Sequence, residues 1–123
     1  LDDVFVKEEF SKILEDHKLH VKLLEDRIKD LGGEPKEDLG IAGIMANVKM
    51  AMKNLGSKKP VDVVKQAYDG EDKGIAMVEE IIKGDLDDES AKLMHDILSK
   101  EHDHLVQMNR IIEKLENYAG QYF

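Results

Sequence analysis

The sequence predicts an all-α protein, built as an up-and-down helical bundle. Along several long stretches, apolar residues recur at alternating steps of three and four, which is the spacing of one buried helix face. Charged residues make up 37% of the 123 residues and aromatic residues 5%, a composition that suits amphipathic helices and is poor in strand formers. Helices are expected over residues 4–31, 39–55, 60–84 and 87–118, and the length fits a single domain, 1–123.

The first predicted helix carries a continuous apolar stripe that includes a histidine. Its members are Phe10, Leu14, His17, Val21, Leu24, Ile28 and Leu31. The pair Gly32–Gly33 is expected to end the helix, because glycine adopts the left-handed conformation of a C-terminal cap, and Pro35 prevents continuation. His17 occupies a stripe position, and His20 lies one turn further along the same side.

The second and third predicted helices differ in length and in the chemistry of their buried edges. The shorter one, over 39–55, has an edge of Ile41, Ile44, Val48, Met52 and Leu55. Pro60 suits the first turn of the third helix, where its missing N–H is not needed, and Gly84 is expected to cap the other end. The stripe of the third helix contains a glutamate, in the series Val61, Val64, Tyr68, Glu71, Ile75, Val78 and Ile82.

The last predicted helix begins with acidic residues and carries a second buried glutamate. Asp87 is expected to be its N-cap, with Asp88 and Glu89 favourably placed at the positive end of the helix dipole. Its stripe is Met94, Leu98, Glu101, Leu105, Met108, Ile112 and Leu115, with His104 alongside.

The polar positions on these stripes are expected to lie at one depth in the bundle. The last two predicted helices form a hairpin, and Glu71 and Glu101 lie equally far along the chain from its turn. At about 1.5 Å of rise per residue, both are ~22 Å below that turn. His17 reaches the same level if the short second helix makes the first and third helices parallel. The sequence therefore predicts a common layer, with His20 and His104 close by.

Such a layer points to a divalent metal. Two unpaired carboxylates are costly to bury, so something must neutralise them. A metal ion would do this and would use the imidazoles as ligands, whereas protons, water or Glu–His pairing would also serve. The predicted metal-binding residues are His17, His20, Glu71, Glu101 and His104.

At these residues the chain resembles the ferritin-like superfamily, including its small bacterial members. The matching features are a long helix ending in Leu-Gly-Gly-Glu-Pro at residues 31–35, a Glu-bearing helix, and a final helix with Glu-x-x-His. In that family, two lone glutamates and two Glu-x-x-His motifs bind a di-iron or di-manganese centre. The resemblance implies that Glu71 is the lone helix glutamate and that Glu101 and His104 form one motif. The segment His17-x-x-His20 falls where the other motif belongs.

The chain also departs from that family pattern. His17 replaces a bridging carboxylate, and the family's first helix, with its own Glu, has no counterpart. Two His with one or two carboxylates suit zinc or a single iron, which implies a metal site of altered type or a lost centre. A helix preceding Leu1, or one from a partner subunit, would restore a dinuclear site. A hemerythrin-like site is less favoured, because the stretch 61–83 contains no His.

The composition excludes several classes of function. A net charge of −9 repels nucleic acid and anionic membranes, and without Cys there are no disulfides, iron–sulfur clusters or thiol catalysis. No apolar run approaches the ~18 residues of a membrane span and no signal peptide is visible, so a cytoplasmic protein is expected.

Two functions follow from the sequence. The first is a metal-binding protein that holds iron, manganese or zinc for oxygen or peroxide chemistry or for metal handling. The second is a metal-free bundle that acts as a structural or oligomerisation module. A homodimer is expected, because three long helices and one short one leave a flank open, and the sequence indicates no particular small-molecule substrate.

Overall fold

The computed structural model describes residues 3–35, 46, 49–50, 53–54 and 58–120. These residues contain helices α1 (Asp3–Asp30), α2 (Pro60–Ile82) and α3 (Asp88–Gly120), and no strand. The all-α prediction is confirmed, and each helix end lies within two residues of its predicted position. The predicted helix over 39–55 lies mostly outside the described residues, so a fourth helix stays a prediction. No helix in the described part of the chain is long and apolar enough to cross a membrane.

The C-terminal end of α1 is fixed by the two glycines that the sequence singles out. Gly32 has a φ of 84°, a left-handed conformation that residues with a side chain rarely adopt. Its N–H donates to the carbonyl of Lys29 at 2.9 Å, and the N–H of Gly33 donates to the carbonyl of Ile28 at 2.9 Å. These two bonds form a Schellman motif, which satisfies the last carbonyls of the helix. Leu31 follows the last helical residue and is 61% exposed, whereas Ile28, one turn earlier on the predicted stripe, is partly buried.

The start of α3 is capped by Asp87 and tied to α1. The Asp87 carboxylate accepts hydrogen bonds from the Ser90 N–H at 3.1 Å and the Ser90 hydroxyl at 2.6 Å, as predicted for an N-cap. Arg27, in the last turn of α1, donates to the Asp87 carboxylate at 2.6 Å and to Ser90 Oγ at 2.9 Å. The bonds from Ser90, together with Arg27, lower the pKa of Asp87 to about 2.

Two apolar clusters fill the core, and a polar layer lies between them along each helix. One cluster joins the beginnings of α1 and α2 to the end of α3, with Val6, Phe10, Ile13, Val63, Val64, Ala67, Met108, Ile111 and Leu115. The other joins the later parts of α1 and α2 to the beginning of α3, with Val78, Met94 and Ile97 packed against neighbours such as Leu24 and Ile82. Thus α1 and α2 run in the same direction and α3 runs opposite, which is the arrangement that the predicted common layer requires.

Candidate metal centre

Three helices bring His17, Glu71 and His104 together in the polar layer. Each of the three is about 1% exposed. One ligand-type atom from each lies within 4.8 Å of the other two, which is close enough for all three to contact one metal ion. Apolar clusters lie on both sides of this layer, and charges buried in such low-dielectric surroundings interact strongly.

Glu71 contacts both of the clustered histidines. His17 Nε2 lies 3.2 Å from Glu71 Oε1 and 3.1 Å from Oε2, with hydrogen-bond geometry toward Oε1. His104 Nδ1 lies 3.0 Å from the same Oε1. Burial raises the pKa of Glu71, but the hydrogen bonds from His104 and His17 outweigh burial and hold that pKa below its ordinary value. The carboxylate is therefore ionised at neutral pH.

His104 contacts a carboxylate through each of its ring nitrogens. Besides its bond to Glu71, its Nε2 lies 2.7 Å from Oδ2 of Asp16 on α1. Carboxylate oxygens accept hydrogen bonds, so these two contacts favour a proton on each ring nitrogen, which is the imidazolium form of His104. Burial opposes this charge, but the hydrogen bonds to Glu71 and Asp16 prevail and raise the pKa of His104.

His20 lies beside this group without joining it. Its ring centroid is 6.4 Å from that of His17, and its Nδ1 is buried with no hydrogen-bond partner. Burial, followed by repulsion from His17 and His104, lowers the pKa of His20 to about 4. Its imidazole is therefore neutral at physiological pH, which is the form that binds metals.

Glu101 is buried as predicted but is not among the three closely spaced residues. It is 1% exposed, and its Oε2 has no hydrogen-bond partner. Burial and the negative charge of Glu71 raise the pKa of Glu101 to about 7. The sequence predicted that Glu71 and Glu101 are buried at one depth, and both are buried. The α3 residue that hydrogen-bonds to Glu71 is His104, with Glu101 one turn away from His104 and largely protonated below neutral pH.

The layer holds a set of buried polar atoms that the protein does not satisfy. In the described part of the chain, four buried side-chain atoms have no hydrogen-bond partner: His17 Nδ1, His20 Nδ1, Glu71 Oε2 and Glu101 Oε2. All four belong to residues that the sequence predicts as metal ligands. Leaving such atoms unpaired in a core is unfavourable, and each deserves an explanation. A cation bound in the layer would engage some of them directly.

Asp16 is the site residue that sequence reasoning missed. It precedes His17 and lies off the apolar stripe, so the sequence pattern assigns it to the surface. Its side chain is 31% exposed in the structure. Its contact with His104 joins residues 88 positions apart and depends on how α1 and α3 pack. One sequence signal was available, namely that Asp16 is four residues before His20 and so flanks the His-bearing face.

The fold and the site define a helical protein with a buried layer of His and Glu side chains. A comparison with protein-family models shows the family to which it belongs. Residues 1–84 match the family model described as "Domain of unknown function (DUF2383)". Because the match spans more than half of the chain, the protein belongs to this family. The matched region includes His17, His20 and Glu71, whereas Glu101 and His104 lie beyond it on α3. No curated protein and no solved structure matches the chain.

Proposed function

We propose that this chain is a cytoplasmic, ferritin-like metal-binding protein whose centre is formed by His17, Glu71 and His104. The observation that carries the proposal is the coincidence of two features in one buried layer. Three ligand-type atoms from three helices lie within 4.8 Å of one another. The four buried side-chain atoms that lack a partner in the described residues occur in the same layer.

The donor set suits a small group of metals. Two imidazole nitrogens and one carboxylate leave coordination positions open, as in catalytic zinc sites and in non-haem iron(II) sites. Manganese is also compatible with this mixture of nitrogen and oxygen donors. When bound, such an ion would supply Lewis acidity or, for iron or manganese, redox chemistry with oxygen or peroxide. Glu101 and His20 are the nearby buried residues that would extend the ligand set.

The charge states of the protein's own residues favour cation binding. Glu71 is ionised, because His104 and His17 lower its pKa, and His20 is neutral at physiological pH. In the metal-free protein His17 Nε2 and His104 Nδ1 both donate to Glu71, so each of these atoms must give up its proton before it can act as a ligand. We therefore expect metal affinity to increase with pH until His104 is deprotonated.

The ferritin-like assignment is supported by the order of helices and by their polar positions. A long first helix, a glutamate-bearing helix and a final helix with Glu101-x-x-His104 share one buried layer, as the resemblance implies. The three clustered residues are enough for one ion. We propose a single-metal centre on this ground, with a dinuclear centre requiring donors from elsewhere.

One observation favours the alternative of a metal-free structural module. His17, Glu71, His104 and Asp16 hydrogen-bond to one another in a chain that needs no ion. In this reading the polar layer fixes the register of the helices, a role that buried polar groups have in some helical assemblies. The two functions make opposite predictions about bound metal.

Metal loading of a matched pair of variants tests the proposal. Wild-type protein, Glu71→Gln and Glu79→Gln are each incubated with Zn²⁺, Mn²⁺ or anaerobic Fe²⁺, desalted and analysed for metal. Glu79 lies two turns further along α2 and is exposed, so its variant makes the same charge change outside the layer. We expect stoichiometric metal in wild type and Glu79→Gln, and a loss in Glu71→Gln. Equal, substoichiometric metal in all three would support the structural module.

We also propose that the chain forms a homodimer. Leu19 and Leu23 lie one turn apart on α1 and are 54% and 39% exposed, so they form an apolar pair on the surface that a second chain would cover. Multi-angle light scattering is expected to give the mass of two chains, and a Leu19→Lys/Leu23→Lys variant the mass of one. A wild-type monomer at high concentration would contradict this proposal.

A further inference from the structure

A carboxylate outside the three-residue cluster contacts the far side of one of its imidazoles. Asp16 Oδ2 lies 2.7 Å from His104 Nε2, the shortest of the side-chain contacts made by His104, while the opposite ring nitrogen faces Glu71. Asp16 is on α1 and His104 on α3, so this contact crosses between helices. The two carboxylates therefore define the orientation of the imidazole plane from both sides.

We propose that Asp16 is a positioning residue that makes His104 bind the metal through Nδ1. This inference rests on the proposed function. A neutral imidazole that donates Nε2–H to a carboxylate has its lone pair on Nδ1, and here Nδ1 is the atom that faces Glu71. Metal-bound histidines commonly donate their other N–H in this way, which fixes the ring and increases its basicity as a ligand.

The surroundings of Asp16 suit this positioning role. Asp16 is 31% exposed, and Lys100 Nζ lies 3.9 Å from its Oδ2, so its charge has water and a cation nearby while the imidazole it holds stays buried. Successive residues on a helix point about 100° apart, so α1 presents His17 to the layer and Asp16 to the neighbouring helix. One helix thus supplies both a ligand and the carboxylate that orients a ligand on another helix.

The two histidines would then use different nitrogens. His17 presents Nε2 to Glu71, whereas His104 presents Nδ1. A long-range ¹H–¹⁵N correlation spectrum distinguishes these nitrogens, because metal binding and protonation shift each ring ¹⁵N signal in a characteristic way. The spectrum is recorded on Zn²⁺-loaded and metal-free wild type, Asp16→Ala, Asp16→Asn and Asp103→Asn. Asp103 is exposed and adjacent to His104 in sequence, so its variant controls for the charge change.

The expected results concern both affinity and binding mode. Zn²⁺ affinity, measured by competition with a chelator, should fall by about 10–100-fold in Asp16→Ala and by less in Asp16→Asn, and Asp103→Asn should match wild type. The Zn²⁺-bound wild type should show His104 bound through Nδ1 with a protonated Nε2, and Asp16→Ala should lose that pattern. Circular dichroism establishes that each variant folds, and the Asn variant, of nearly unchanged volume, carries the test if the Ala variant does not.

The outcomes separate this inference from the proposed function. If wild type binds Zn²⁺ and Asp16→Ala keeps both its affinity and the Nδ1 pattern, the role of Asp16 is wrong while the metal centre stands. If wild type binds no metal, the proposed function fails. In that case the metal-free spectra still decide whether Asp16 holds the His104 Nε2 proton, because loss of that proton signal in Asp16→Ala alone would support the contact.

Discussion

His104 Nδ1 lies 3.0 Å from Glu71 Oε1, a contact that joins the middle of α3 to the middle of α2 inside the core. The same oxygen is 3.2 Å from His17 Nε2, so a single carboxylate oxygen links all three described helices. Apolar clusters lie on both sides of this contact. The candidate metal centre and the packing of the helices therefore depend on the same residues. Each variant must be tested for metal binding and for folding stability.

Removing the Glu71 carboxylate should destabilise the metal-free protein. In Glu71→Ala, His17 loses its carboxylate partner and His104 keeps only Asp16. Breaking a buried charged pair by deleting one partner costs about 3–5 kcal/mol, and we expect a loss of this order in the free energy of unfolding. Urea denaturation in the presence of a chelator measures it. Glu79→Ala, on the exposed face of α2, should lie within about 0.5 kcal/mol of wild type.

Glu101 should make the stability of the metal-free protein decrease as pH rises. Its pKa is raised to about 7 in the folded protein from an ordinary value of 4.5, so between these values the folded state binds more protons than the unfolded state. Stability therefore falls across this interval as pH increases. Glu101→Gln imitates the protonated acid and should gain roughly 1–3 kcal/mol relative to wild type between pH 5 and pH 8.

The comparison must be made between variants, because His20 has the opposite effect. Its pKa of about 4 lies below the ordinary 6.5, so the unfolded state binds the extra proton and stability rises with pH over an overlapping range. Denaturation curves of wild type and Glu101→Gln at several pH values cancel this contribution. A difference between the two proteins that does not change with pH would show that Glu101 titrates normally.

Asp87 should stabilise the hairpin of α2 and α3 at neutral pH but not in acid. Its pKa of about 2 is below the ordinary 3.8, so its contribution is fully present above pH 4 and is lost as pH falls toward 2. Asp87→Ala should lower the thermal midpoint at pH 7, with the difference from wild type shrinking at pH 2. Asp85→Ala, an exposed acidic neighbour, is the control. An equal difference at both pH values would contradict the role of the Asp87 charge.

Phe10 should be essential to the larger apolar cluster. Its side chain is 1% exposed and packs with residues of α2 and α3. Phe10→Ala is expected to cost about 3–5 kcal/mol of unfolding free energy, because it removes buried apolar surface and leaves a cavity. Val4→Ala, at a position of the same helix that is 61% exposed, should have little effect. A loss below about 1 kcal/mol in Phe10→Ala would mean that α1 is not packed as described.

Helix boundaries were predictable because they depend on local chemistry. Gly32, Pro60 and Asp87 each act within one turn of the chain, through a left-handed backbone, a missing N–H and a capping carboxylate respectively. The depth of the polar layer was also predictable, since helical rise is constant and α3 returns antiparallel to α2. These steps place Glu71 and Glu101 at one level without knowledge of the packing, whereas the level of His17 needed the further assumption that α1 runs parallel to α2.

The partners within the layer were not predictable. Whether Glu101 or His104 faces Glu71 depends on the rotation of α3 about its axis, and both residues lie on its buried side. The contact of Asp16 with His104 likewise depends on the packing of α1 against α3, two helices far apart in sequence. Periodicity gives a face about 100° wide, which is too coarse to select one of two neighbouring side chains.

The central claim is that one ion binds between three helices, and anomalous diffraction from a crystal of the Zn²⁺-loaded protein tests it most directly. We predict one strong peak at the zinc edge, within about 2.0–2.2 Å of His17 Nε2, His104 Nδ1 and a Glu71 oxygen. A map with no peak in this layer, or with zinc only on surface carboxylates and exposed histidines, would contradict it.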